Sequence, residues 1–332
     1  MKELVLPTAR PHDGGWREVA YASMASRDWR PIESCIAACV AGDLRYLPGT
    51  TEEPLPPLST SALRQQRQRQ QRKRHTWRMR LAYYGPSFSG FAWQNDAPLP
   101  TVAGCLQEAI EPLLEGRHSL VLSCAGRTDA GVSALGQQVS FYAWPELTPD
   151  AIRDAVARAS PQPGALRVVS AREVDRSYHA TFSTAWRRYA YLLPPPPGAT
   201  SSREEVAAEA EALDGLLRGL AGTTRDYAAL GRGLPKNKPT QSLLRHAAAR
   251  PVALPGGGGY ATRVDLVGDR FIRRQVRVLV ATGVAAVAAG QPSATFIDAC
   301  TSGQQERTAH PAPPQGLVLH DAGTDEDAWM PL

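Results

Sequence analysis

Cysteine is scarce and poorly spaced for metal or disulfide work: Cys35, Cys39, Cys105, Cys124 and Cys300 include no CxxC pair. An odd number without that spacing argues against a disulfide scaffold or zinc ribbon and for a reducing, intracellular setting. Long apolar runs are missing too. No stretch approaches the ~18 uninterrupted apolar residues of a membrane span, so the chain reads as soluble, with cytoplasm, nucleus and organelle all open. No apolar core follows a basic start, so residues 1–61 do not read as a secretory signal. The eight acids within residues 1–61 fit poorly to an acid-poor transit peptide. Histidines form no pair at zinc spacing, and glycines 256–259 lack the Lys-Ser/Thr of a phosphate cradle, so they read as a hairpin turn.

What the chain does have is an ordinary globular composition. Its 332 residues suit about two domains of roughly 150 residues each. With 43% hydrophobic and 21% charged residues, a sizeable core is available and wholesale disorder is excluded. The net charge of +5 hides an uneven distribution. Residues 1–61 carry −2, residues 62–80 carry +8 and the rest carries −1. The basic run consists of Arg64, Arg67, Arg69, Arg72, Lys73, Arg74, Arg78 and Arg80, with no acid among them. Such a run suits a polyanion, whose condensed counterions are released on binding; a solubilising or targeting tail reads equally well.

Residues 1–61 show no sustained periodicity, the Gln/Arg run over 64–74 is of low complexity, and the folded part is expected to begin near Thr76. From there one pattern can be read twice. Trp77, Met79, Leu81 and Tyr83 alternate as in a half-buried strand. Thr101 caps a helix with Val102, Leu106, Ala109, Ile110, Leu113 and Leu114 at helical spacing. Two strands, Leu120 to Leu122 and Gln137 to Trp144, flank a Gly-rich loop. A helix opening at Thr148-Pro149 and a strand from Leu166 to Val174 complete β-α-β-β-α-β. The second pass gives a strand over Ala185 to Leu193, a helix over roughly residues 203–220 and strands near Ser242 to Ala249 and Tyr260 to Val267. A long helix from about Arg270 to Ala289 and a strand near Gly316 to Leu319 close it. Two split β-α-β-β-α-β units of this kind define an α+β fold with a cleft between them.

The loop of the first unit, from Cys124 to Gln137, places one carboxylate and one guanidinium two positions apart among small residues. Glycine lets backbone turn tightly and approach a ligand closely. An arginine beside an aspartate can hold it ionised, as a nucleophile or general base requires. A hairpin with a local ion pair reads as well from the chemistry alone.

The string Gly126-Arg127-Thr128-Asp129-Ala130-Gly131-Val132, followed by Ala134-Leu135-Gly136-Gln137, resembles the catalytic motif of the TruA family of tRNA pseudouridine synthases. Phe91-Ala92-Trp93-Gln94 before Thr101-Val102 resembles its first strand-loop-helix. Tyr178 to Ser183 leading into Arg187-Arg188-Tyr189-Ala190-Tyr191 resembles its second motif. Phe271 to Arg277 with Gly283 resembles its last long helix, and Thr308-Ala309, Pro311-Ala312 and Gly316-Leu317 its closing segment. The likeness covers residues 76 to about 320, in family order.

The resemblance implies two ferredoxin-like halves, 76–180 and 181–325, forming the pseudouridine synthase fold behind an extension over 1–75. It implies conversion of uridine to pseudouridine in structured RNA, chiefly tRNA, with no metal, nucleotide or redox cofactor. Asp129 would be the essential acid. Arg127 would pair with it and fill the space left by the extruded nucleotide, Tyr189 would stack on the target base, and Arg277 would pair with Asp129 across the cleft. A solvent-exposed helix edge is the other reading of Arg277. Members commonly form homodimers, and the extension suggests a eukaryotic one. Ser133 stands where the family usually has His, Tyr84 where Asp is common, and Ala92 where Gly is. Gln275 replaces an apolar residue, and Leu243 and Leu244 replace polar ones. A non-catalytic RNA-binding scaffold that kept the fold is the alternative these departures sustain.

Overall fold

A computed structural model describes residues 15–50, 74–235 and 237–327. The first half contributes strands β1 (His75–Tyr83), β2 (Ser123–Cys124), β3 (Ser133–Ala143) and β4 (Leu166–Val174), with helices α3 (Val102–Ile110) and α4 (Pro149–Arg158). The second contributes β5 (Trp186–Leu193), β6 (Thr224–Asp226), β7 (Gln241–Ala253), β8 (Tyr260–Gly268) and β9 (Leu317–Gly323). Its helices are α5 (Arg203–Leu217), α6 (Gln275–Ala288) and α7 (Ser293–Thr301). Helices α1 (Gly15–Ala25) and α2 (Arg30–Ala41) precede both halves.

The strands lie in the order β4-β1-β3-β9-β5-β8-β7-β6, with β2 also on β3. The two antiparallel sets therefore join edge to edge in one sheet. Their seam is the short parallel pairing of Ser133 with Val318 and Ala134 with Leu319. That pairing explains why β3 begins at Ser133 and not at Gln137: β9 supplies ladder partners for Ser133 and Ala134, just after the glycine-rich loop. On the other side of the loop, the strand expected over Leu120 to Leu122 is displaced to Ser123–Cys124. Those two residues reach Ser140 and Val139 of β3, and Val121 stays exposed.

Local chemistry sets the helices. Thr101, Thr148 and Ser202 each accept a hydrogen bond from the amide three residues on, closing the starts of α3, α4 and α5. Pro112 ends α3 at Ile110, and the rest of the expected helix runs on as a 3-10 turn over Glu111–Leu114. Helix α6 is apolar nearly all round and buries Val276, Val278, Leu279, Val280, Ala281 and Val284. It starts at Gln275 and not near Arg270, because Arg274 takes a left-handed conformation (φ 66°) that interrupts the chain there.

The folded part does not begin near Thr76. Helix α2 buries Ile32, Cys35, Ile36, Cys39 and Val40, an i, i+3, i+4, i+7, i+8 stripe with Pro31 in its first turn and left-handed Gly42 at its end. That signal is present in the sequence, inside a segment read above as aperiodic. The two cysteines face this core, and among the described residues no group of three or more His, Cys, Asp or Glu could hold a metal ion. The leader is tied to both halves. Arg27 reaches Glu209 of α5 through two hydrogen bonds and the carbonyl of Pro194 through a third. Arg167 of β4 donates to the carbonyl of Val40 at 2.9 Å. Arg263, fully buried in β8, holds Asp265 with two bonds and donates to Pro48 O and Thr50 Oγ1.

Residues 62–73 of the basic run lie outside the described residues. Its last members are structural in part: Arg78 donates to Gln138 and pairs with Asp327 at 3.0 Å, and Arg80 pairs with Asp321 at 3.3 Å. Among the described residues no helix is long and apolar enough to cross a membrane.

His320 on β9 gives the sheet a pH dependence. Burial first, then the positive charges of Arg263, Arg188 and Arg80, push its imidazole well below the ordinary 6.5. Its Nδ1 is buried without a hydrogen-bond partner. The unfolded chain takes up a proton near pH 6.5 that the folded chain refuses, so stability falls on acidification through that value. Asp321, pushed up from 3.8 chiefly by burial, works in the opposite sense at lower pH. The midpoint of urea unfolding is expected to drop between about pH 7.5 and about pH 5.5, and His320→Gln to flatten that drop. Equal slopes for variant and wild type would refute the assignment to His320.

Candidate active site

The loop from Ala125 to Val132 connects β2 to β3, and its backbone is held at both ends. Ala125 N–H donates to Gln138 O at 2.9 Å, and Val132 N–H to Asp129 O at 3.2 Å. In between, Thr128 O accepts from Phe91 N–H at 3.2 Å. Gln137 Nε2 donates to Gly126 O at 2.6 Å and to the hydroxyl of Tyr83, which also bonds Thr128 Oγ1 at 2.8 Å. Two glycines are sterically required. Gly131 has φ 79°, in the left-handed region. A Cβ on Gly85 would sit 2.4 Å from the carbonyl of Gly131, so only glycine lets the β1 end pass behind the loop.

Asp129 projects from this loop and meets Arg277 of α6, with Oδ2 3.2 Å from Nη1. Arg277 is fixed by its neighbours. Its Nε donates to Ala312 O at 2.6 Å, and its own carbonyl accepts from Ala312 N–H at 3.0 Å. The guanidinium keeps 12% of its side-chain surface and the carboxylate 26%, so the pair is shielded while Asp129 stays reachable. A carboxylate so placed offsets the cost of burying the Arg277 charge on an apolar helix. Burial lowers the Arg277 pKa and the charge of Asp129 opposes that.

Tyr189 of β5 is buried beside the same loop, its ring meeting Phe271 edge to face at 5.0 Å. Its hydroxyl would lie 3.6 Å from a Cβ on Gly126. Burial chiefly raises its phenol pKa, Arg187 opposes and Asp129 reinforces, so the group is a neutral hydroxyl at physiological pH. Arg127 departs from its expected pairing. It is exposed and makes no ion pair among the described residues, because the hydrogen bonds of Gly126 and Thr128 fix the backbone on either side of it. Asp129, Arg277 and Tyr189 are thus brought together, and Arg127 stands at the rim.

Sequence reasoning noticed Arg187 only as a neighbour of Tyr189. In the structure it gathers carbonyls: Ala125 O through Nε and Nη2 at 3.0 and 2.8 Å, Thr184 O at 2.9 Å and Asp269 O at 2.5 Å. It thereby joins the loop, the second motif and the end of β8. The unusual residues also find uses. Ser133 is fully buried and its Oγ accepts from Gly85 N–H at 2.8 Å, the close approach that a histidine's larger ring would crowd. Gln275 Oε1 accepts from Ile272 N–H at 2.8 Å, closing the turn before α6. Leu244 is a core residue. Thr181 N–H donates to His179 Nδ1, and the other ring nitrogen, Nε2, lies 2.9 Å from Ser123 Oγ.

The sequence is similar to those of known proteins over most of its length. No family model matches. A protein of Cutibacterium acnes named tRNA pseudouridine synthase A is 33% identical over 265 residues, 76% of this chain and 90% of that one. Proteins of the same name from Cereibacter sphaeroides (31% identical, 76% of this chain and 97% of the relative) and Gloeobacter violaceus (29%, 76% and 81%) are similar over comparable lengths. The chain belongs to the tRNA pseudouridine synthase A family.

Proposed function

We propose that the protein isomerises uridine to pseudouridine in tRNA, with Asp129 as its essential acid. The observation that carries this reading is the Asp129–Arg277 pair, assembled at 3.2 Å from residues 148 positions apart, beside the buried ring of Tyr189. Family membership supports the same chemistry. In the reaction the N1–C1′ bond of uridine breaks, the freed uracil turns, and a C5–C1′ bond forms. The hydrogen at C5 leaves to solvent and N1 takes a proton, so no atom or electron is gained or lost overall.

Asp129 attacks the sugar or the base, or removes a ribose proton; each role needs an ionised carboxylate. Arg277, itself held by Ala312, pairs with Oδ2 and fixes the position of the carboxylate. With Oδ2 in the ion pair, Oδ1 is the oxygen offered to substrate. Tyr189 stacks on the turning uracil, as aromatic rings do with unstacked RNA bases. Arg127, exposed at the rim, fills the space left by the displaced nucleotide. Pairing as a homodimer and an intracellular location belong to the same proposal and rest on the family likeness and the cysteine usage.

The test is release of tritium from C5-labelled uridine in bulk unmodified tRNA. Full-length protein is expected to release it in proportion to the pseudouridine formed. Tight tRNA binding without release would instead support a scaffold.

A further inference from the structure

The turn between β4 and β5 carries the side chain least suited to water. Phe182 is 84% exposed, the most exposed large hydrophobic residue among those described, with Trp93 next at 64%. A Phe this open contributes little to folding, since its area is never removed from solvent. It is nonetheless held. The ring of His179 stacks against it with centroids 4.5 Å apart and planes at 30°. His179 is pinned on both sides of its ring, by Ser123 Oγ and by Thr181 N–H. The turn closes on itself through Phe182 N–H and Ser183 N–H, which donate to His179 O at 3.0 and 2.8 Å. One face of a flat ring is backed and fixed, and the rest is open.

The turn that carries this ring is tied to the candidate site. Thr181 Oγ1 donates to Cys124 O at 2.9 Å, and Arg187 Nη2 reaches both Ala125 O and Thr181 O. The turn is therefore anchored to the strand that leads into the Asp129 loop. Two exposed guanidiniums lie on segments tied to it through Arg187 and the loop: Arg127 on that loop, and Arg270, close enough for its charge to act on Arg187. An exposed aromatic face on a turn tied to the loop of an RNA-modifying site suits an unpaired base, which every RNA loop can offer.

We propose that Phe182, backed by His179, is a stacking platform for an unpaired base of the substrate RNA other than the target uridine. Tyr189 is buried and serves the base that enters the site; Phe182 lies outside and serves a base that stays out. This rests on the RNA-modifying function proposed above. The platform thereby contributes to which loops are accepted, because a target without a free neighbouring base cannot use it.

Phe182→Ala and Phe182→Trp in the full-length protein test this. Stacking contributes about 1–3 kcal/mol per base, so the alanine variant should raise both Kd and KM for unmodified tRNA about tenfold. Its kcat, thermal midpoint and the salt slope of binding should stay at wild-type values, because neither fold nor phosphate contacts change. Tryptophan should restore binding. An alanine variant that binds and turns over tRNA as the wild type does would overturn the platform. Wild-type protein that binds tRNA but releases no tritium would overturn the catalytic reading, and Kd alone would then decide the platform. Wild-type protein that binds no RNA would overturn both.

Discussion

Asp129→Asn should abolish tritium release from C5-labelled tRNA, lowering it by about 10³-fold or more, while tRNA binding and the thermal midpoint stay near wild type. The size follows from the role. An amide has the shape of the carboxylate and can still accept from Arg277 Nη1, so the loop and its bonds to Gly126 and Thr128 have no reason to move. What disappears is the negative oxygen, and no neighbour replaces it: among the described residues Asp129 is the carboxylate that Arg277 pairs with. Equal release by variant and wild type would sink the assignment of Asp129. Loss of release together with loss of fold would show only that the ion pair is structural, which a circular dichroism melt decides.

Trp29→Ala should cost about 3–5 kcal/mol of folding stability, although the residue lies far outside the sequence motifs. Its ring is 6% exposed, meets Tyr191 edge to face at 6.1 Å, and donates through Nε1 to Met24 O at 3.0 Å. Truncation would open a cavity between the leader helices and β5. Tyr191 donates to Pro313 O, and Ala312 next to it holds Arg277, so the same cavity should also loosen the Asp129 pair and lower activity. Urea unfolding of the variant reports the cost as a lower midpoint at unchanged slope. Tyr21→Ala, at a position 42% exposed on α1, serves as the control and should shift stability by about 0.5 kcal/mol or less. A Trp29→Ala loss no larger than that of the control would mean the leader does not pack on the sheet.

Much of this fold is legible in the sequence because its signals are local. Alternation over Trp77 to Tyr83, the caps at Thr101 and Thr148, and the strand over Leu166 to Val174 depend on residues close in the chain, and they appear where their patterns place them. The failures arise where a distant partner decides. Strand β3 starts four residues early because β9, nearly 200 positions away, offers a ladder at Ser133 and Ala134. Helix α2 is a different case. Its apolar stripe and its Pro and Gly boundaries are visible, but a short helix surrounded by aperiodic sequence declares itself only when its buried face is seen against the sheet.

The candidate site divides the same way. Composition and order fix which groups are available: a carboxylate and a guanidinium in a Gly-rich loop, a tyrosine in a strand, an arginine on an apolar helix. The family likeness suggests both Arg127 and Arg277 as partners of Asp129, and the structure forms the second pairing and not the first. An ion pair needs atoms within about 4 Å, and two positions along a loop do not guarantee that when backbone bonds hold the chain on either side of Arg127. Likewise, nothing in the sequence distinguishes the ring that is buried, Tyr189, from the ring left open, Phe182, since both lie in one motif. The sequence by itself determined the elements, their order and the chemistry on offer. Only the tertiary structure decided which charges meet and which rings face water, because both depend on segments that packing alone brings together.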